Sequence, residues 1–236
     1  MKWLHKIFLS FLLFITLVGM TSAQKALGLY VGSVTNKFEG DRVTRLFEVG
    51  FRVHSSASAG LVFDLPIKPD VYITFIPGYK NISGTIYEAN EAYDEQIDAG
   101  IEVPTVPKTV DLSTMNLNYL ALPVLLKIIS DNEHWQFMAG LEPAWNFKAS
   151  LKDLNTGEKE DVKHYVRDIN LSAIFGFGYR FKIKNTRWAF DLMYTQGLLN
   201  MSHGQKVLEG VVPRVKSTTA ETRLTWYFIS QNKKRK

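Results

Sequence analysis

Trp135-Gln136-Phe137-Met138-Ala139-Gly140-Leu141-Glu142-Pro143-Ala144-Trp145-Asn146-Phe147-Lys148-Ala149 is the stretch that decides the architecture of this chain. Odd positions carry Trp, Phe, Ala, Leu, Pro, Trp, Phe and Ala, while even positions hold Gln136, Glu142, Asn146 and Lys148 among small residues and Met138. Successive side chains of an extended strand point to opposite faces, so the segment reads as a strand with one apolar and one largely polar face. It outruns an ordinary globular strand of about 5–6 residues.

The alternation recurs. Between 165 and 183, Ile169, Leu171, Ala173, Phe175, Phe177, Tyr179, Phe181 and Ile183 oppose Asn170, Ser172, Gly176, Gly178, Arg180 and Lys182. Trp188, Phe190, Leu192 and Tyr194 alternate with Ala189, Asp191, Met193 and Thr195. Near the end, Ala220, Thr222, Leu224, Trp226 and Phe228 alternate with Glu221, Arg223, Thr225 and Tyr227. From Phe47 to Leu65 one phase holds without a slip. That exceeds the roughly 9–11 tilted residues of a membrane crossing. Its unbroken phase and lack of proline weigh against a hairpin at Ser55-Ser56.

Period two alone fits either a sandwich, with its apolar face inward, or a membrane barrel, with that face toward lipid. Connection lengths choose between them. Strands at 26–35, 45–65, 70–87, 113–129, 134–149, 165–183, 187–199 and 217–229 leave long connections at 36–44, 88–112, 150–164 and 200–216. Those at 66–69, 130–133 and 184–186 are short. Short periplasmic turns alternating with longer outer loops are the rule for outer-membrane barrels. Trp135, Trp145, Trp188 and Trp226 all lie on apolar faces, where indoles suit membrane interfaces. The fold expected is all-β: a single eight-stranded antiparallel up-and-down transmembrane β-barrel. The segment Leu120-Ala121-Leu122-Pro123-Val124-Leu125-Leu126 resists this reading, being apolar on both faces with a proline that lacks a ladder donor.

The flanks set the location. Lys2 and Lys6 precede an apolar run from Ile7 to Val18, and Thr21-Ser22-Ala23 offers a cleavage site, so 1–23 reads as a secretory signal peptide. The barrel then occupies 24–230, and 231–236 form a basic tail. No other run approaches the roughly 18 apolar residues of a spanning helix, so membrane residence requires a closed barrel. The formal charge of +5 is mild, and export removes nucleic acid as a partner. With no cysteine, stability rests on backbone ladders and packing.

Leu117-Asn118-Tyr119-Leu120-Ala121-Leu122-Pro123-Val124-Leu125-Leu126-Lys127 resembles a strand of PorT-type outer-membrane β-barrel proteins. Gly28 and Gly32 in the first strand, Phe75-Ile76-Pro77-Gly78-Tyr79 and Phe175-Gly176-Phe177-Gly178-Tyr179 follow in matching order. The resemblance spans nearly the whole mature chain and implies an eight-stranded barrel in a Gram-negative outer membrane. It also brings an association with type IX secretion for PorT itself.

An eight-stranded barrel is only wide enough for side chains to fill. Glu48, Arg52, Asp64, Lys80, Glu142, Lys148, Arg180, Asp191, Glu221 and Arg223 are expected to point inward, with Glu142, Arg180, Asp191 and Arg223 at the centre of a salt-bridge network. A proton or small-ion path is the alternative use of these charges. Catalysis would need a histidine with a partner at the outer rim; His164 with Asp161, and His203 beside Ser202, are the available pairs. No Gly-x-Ser-x-Gly elbow is present, and no catalytic, cofactor or metal residue is assigned. Glu88, Glu91, Asp94, Glu95, Asp98 and Glu102 lack EF-hand spacing and read as a solvated surface loop. The Gly176 and Gly178 pair reads as making room within the barrel rather than as a nucleotide loop. The expected role is a non-enzymatic structural anchor, surface-interaction or secretion-accessory protein. Its partners would be outer-membrane lipid and lipopolysaccharide, and a protein bound through the extracellular loops. A lipid-modifying enzyme and a narrow channel are the other readings.

Overall fold

The computed structural model describes residues 26–40, 50–89, 109–202 and 215–230. The expected signal peptide, Glu48, Glu91 to Glu102, His203 and the basic tail lie outside the described residues. The strands are β1 (Ala26–Gly40), β2 (Gly50–Lys68), β3 (Val71–Phe75), β4 (Gly78–Ala89), β5 (Thr109–Ala121) and β6 (Val124–Ile129). They continue as β7 (Trp135–Asp153), β8 (Lys159–Asp161), β9 (Ile169–Ile183), β10 (Thr186–Gly197) and β11 (Val215–Ser230).

Every pairing is antiparallel, and each crossing of the wall lies beside its neighbours in sequence. The ring closes because β1 pairs with β2 along one edge and with β11 along the other. β3 and β4 are two halves of one crossing, as are β5 and β6, and β8 is a short addition to β7. The barrel therefore has eight crossings, as the alternation predicts. Phe137 is 57% exposed and Phe175 56%, while their neighbours Gln136 and Ile174 are fully buried: the apolar face is outward and the polar face enclosed.

The two interrupted crossings explain the stretch that alternation alone left unread. Pro77, Pro123 and Pro143 stand on adjacent crossings and cannot donate to the ladder. Their carbonyls still accept, from Leu61, Ile76 and Leu122 respectively, at 2.9, 3.0 and 2.9 Å. Through the break Leu117, Tyr119, Ala121, Pro123, Leu125, Lys127 and Ile129 keep one inward phase. Both faces look apolar because this crossing supplies hydrophobic filling to the interior as well as a lipid-facing side.

Two bulges correct the expected phase. In β2 the rungs Val53↔Gly84 and Ser58↔Lys80 enclose one residue more on β2 than on β4. The strand runs on through Ser55-Ser56 without a hairpin, but the slip leaves Arg52 exposed instead of inward; it pairs with Asp111 at 3.2 Å. In β7 the rungs Asn118↔Lys148 and Tyr119↔Asn146 skip Phe147, so Ala149 turns inward and Lys148 outward, opposite to expectation. The expected strand from 165 also begins later, at Ile169, because Lys163–Tyr165 form a single 3-10 turn.

The three short turns share a device. Asp70, Glu133 and Lys184, one in each, have φ of 66°, 61° and 53°. Left-handed backbone costs an L-residue roughly 1–2 kcal/mol, so Lys184→Gly should raise the unfolding free energy by about 1 kcal/mol. By contrast, a Cβ on Gly140 would meet the Val124 carbonyl oxygen and stand 2.9 Å from Leu125 Cα. Gly140→Ala should therefore lower stability by about 1–3 kcal/mol through overpacking. Urea titration of bilayer-folded protein, followed by tryptophan fluorescence, checks both.

Candidate functional site

The enclosed face carries the unusual chemistry. Among the described residues the buried ionic side chains are Asp64, Lys80, Lys127, Glu142, Arg180, Asp191, Glu221 and Arg223: four cations and four carboxylates, formally neutral together. Isolated charge in a lumen filled by side chains would carry a large desolvation cost, and pairing offsets it.

The charges form two groups. In the first, Lys80 Nζ reaches Glu142 Oε1 at 2.9 Å and Glu221 Oε2 at 3.7 Å. Arg223 forks onto Glu221, its Nε donating at 2.6 Å and its Nη2 at 2.9 Å. Ser58 Oγ adds a third donor to Glu221 at 2.6 Å, and Arg223 lies over the Tyr30 ring at 4.8 Å. In the second group Lys127 Nζ meets Asp64 Oδ1 at 2.6 Å and Tyr227 Oη at 3.1 Å, while Thr74 Oγ1 donates to the same Asp64 oxygen at 2.7 Å. Gln136 Nε2 donates to Asp191.

All four residues placed at the centre of the expected network are buried, but none is bonded directly to another of the four. Glu142 and Arg223 join through Lys80 and Glu221. Asp191 is held by Gln136. Arg180 stands diagonally across the β9–β10 rungs from Asp191, and its Nε has no hydrogen-bond partner. Lys127 went unread as an interior charge because its apolar neighbours hid the phase. Counting inward positions from Leu117 by twos reaches it.

Space for the carboxylates comes from glycine. The atom nearest a Cβ built on Gly178 is Asp191 Oδ1, and a Cβ on Gly32 would meet Ser58 Oγ at 2.5 Å and Glu221 Oε1 at 3.1 Å. Gly176 faces the Met193 sulfur instead.

Above the ionic layer the filling becomes apolar. Phe38, Ile82, Leu117, Tyr119 and Ala149 pack with Val162, Val166 and Met201 from the outer connections. Backbone bonds fix this cap: Val162 N donates to Ala149 O at 3.2 Å, Arg167 N to Met201 O at 2.8 Å and Met201 N to Val215 O at 2.8 Å. His164 is exposed, its ring tilted at 45° against that of Tyr165. The carboxylate of Asp161 accepts the Lys163 backbone N–H at 2.9 Å. Among the described residues no group of three or more His, Cys, Asp or Glu is arranged to hold a metal ion.

The chain belongs to the outer membrane protein beta-barrel domain family, whose model matches residues 22–203. Its barrel is that of an outer-membrane protein. OprG from Pseudomonas aeruginosa is similar at a TM-score of 0.48 and 9% identity, over 88% of this chain and 97% of that one. Neisserial surface protein A is similar at 0.46 and 12%, over 84% and 95%. Ail, the attachment invasion locus protein of Yersinia pestis, is similar at 0.41 and 13%, over 87% and 99%. No curated protein matches the chain.

Removing one partner of a buried ion pair typically costs about 3–5 kcal/mol, because the other charge is left uncompensated. Lys127→Met should show a loss of that size in urea unfolding. The double variant Lys127→Met, Asp64→Leu should recover most of it, since the remaining interior ions again balance.

Proposed function

We propose that this protein is a non-enzymatic anchor and surface-interaction scaffold of the outer membrane, with a sealed interior and outer loops that do the binding. The observation that carries the reading is the filled lumen. Four cations match four carboxylates, and Val162, Val166 and Met201 pack with Leu117, Tyr119 and Ala149 in an apolar cluster toward the outer end. A narrow channel would need a wet path through both layers, and the interior of an eight-crossing barrel is taken up by side chains. Binding is commonly placed on loops held by a rigid scaffold, which supports the outer connections as the working surface.

The resemblance to PorT-type barrels supports a finer form of the reading, in which the bound partner belongs to secretion machinery. A lipid-modifying activity finds less support: Asp161 is occupied by backbone rather than by His164.

In planar bilayers the folded protein should show no single-channel steps, and resolved ionic currents would overturn the sealed interior. His164→Ala and His203→Ala should leave the lipid A profile of producing cells unchanged. Deletion of residues 91–107 should preserve the β spectrum and abolish capture of the bound protein partner.

A further inference from the structure

The bulge in β7 has an effect on the outside of the barrel. Up to Phe147 the outward positions are odd and apolar. Trp135 and Trp145 are eleven positions apart counted inclusively, the span of about 9–11 residues that a tilted strand needs to cross the bilayer. Trp145 and Phe147 pack at 6.3 Å between ring centroids, and Tyr79 and Phe147 at 6.3 Å, forming an aromatic belt at the outer interface. The skipped residue at Phe147 then reverses the phase, and the next outward positions are Lys148, Ser150 and Lys152.

β8 extends the same face. Its rungs set Lys159 directly opposite Lys152 and Asp161 opposite Ser150. Like charges directly opposed on an antiparallel pair repel. Among the described residues none of Lys148, Lys152 and Lys159 takes part in an ion pair. The one carboxylate these rungs place on the face, Asp161, accepts a backbone N–H from Lys163. Asp153 is likewise turned to its own loop, accepting the Asn155 and Thr156 backbone N–H groups at 2.8 Å each. Three exposed lysines thus stand just above an aromatic belt, two of them face to face without a counter-ion.

We propose that the outward face formed by Lys148, Lys152 and Lys159 docks the phosphate groups of an anionic glycolipid of the outer leaflet. The amphiphile's acyl chains lie against Trp145, Phe147 and Tyr79 below, and its phosphates neutralise the opposed Lys152 and Lys159 with Lys148 at the level of the belt. A bridging anion removes the repulsion across the rung, which gives the site its preference for phosphate over a neutral sugar headgroup. The proposal is independent of whether the lumen conducts or the loops bind a protein.

The test uses the full chain folded in zwitterionic detergent and titrated with bis-phosphorylated lipid A, fully dephosphorylated lipid A, and free pyrophosphate, with bound species counted by native mass spectrometry. The bis-phosphorylated lipid should bind in preference to the other two. In K148Q/K152Q/K159Q its affinity should fall about 100-fold, the loss expected for three cations facing an anionic surface. In K182Q/K184Q, at the periplasmic end, it should be unchanged. An unaltered β spectrum establishes that the triple variant is folded. Equal affinity of the triple variant, or equal binding of dephosphorylated lipid A, overturns the proposal. Pyrophosphate binding as tightly as the lipid would assign the lysines to a soluble anion and overturn it as well.

Discussion

Backbone hydrogen bonding in the absence of water is the constraint on which this molecule depends. Each N–H and C=O within hydrocarbon needs a protein partner, and a sheet meets that demand only by having no edge. The pairing of β1 with β11, from Ala26↔Ser230 to Gly40↔Val215, removes the last edge. Once the wall is closed, the other features follow from geometry. The outward face must match acyl chains, the inward face must fill a narrow tube, and any charge drawn inside must find its opposite. The three prolines on adjacent crossings show how tightly the demand is met, since each missing donor is passed over while the neighbouring carbonyl remains bonded.

Much of this was legible in the chain as written. Alternation at Trp135–Phe147 and Ile169–Ile183 located the crossings, and loop lengths oriented them. The inward positions of Glu142, Arg180, Asp191 and Arg223 followed from parity alone. Parity fails where a bulge intervenes, because inserting one residue exchanges the two faces. Lys148 and Arg52 were misplaced for that reason: nothing in Trp145-Asn146-Phe147-Lys148-Ala149 announces the extra residue, which is fixed by the register against Tyr119 and Asn118. Pairings inside the lumen were also beyond sequence. Ser58 and Glu221 are bonded across most of the chain, and such a contact exists only after the wall has curved round to bring β2 beside β1 and β1 beside β11.

The two faces divide the work of the protein. Inside, compensated ions and an apolar cluster fill the described part of the cylinder. Outside, aromatic belts set its height in the bilayer, with Trp188 and Trp226 stacked near the periplasmic ends and Trp145 with Phe147 near the outer ones. The β7–β8 extension rises beyond the upper belt and carries surface chemistry of its own, so recognition need not draw on the interior.

The interior ions also bear on how the wall is put together. Lys127 lies on β6, Asp64 on β2 and Tyr227 on β11, so this knot draws on both ends of the chain. Glu221 and Arg223, both on the final strand, complete the contacts begun by Ser58 and Lys80. Without that strand Lys80 would keep Glu142 but lack Glu221. Glu221 and Arg223 bring one charge of each sign, so the final strand shuts the seam and completes these contacts while leaving the interior as neutral as it was without them.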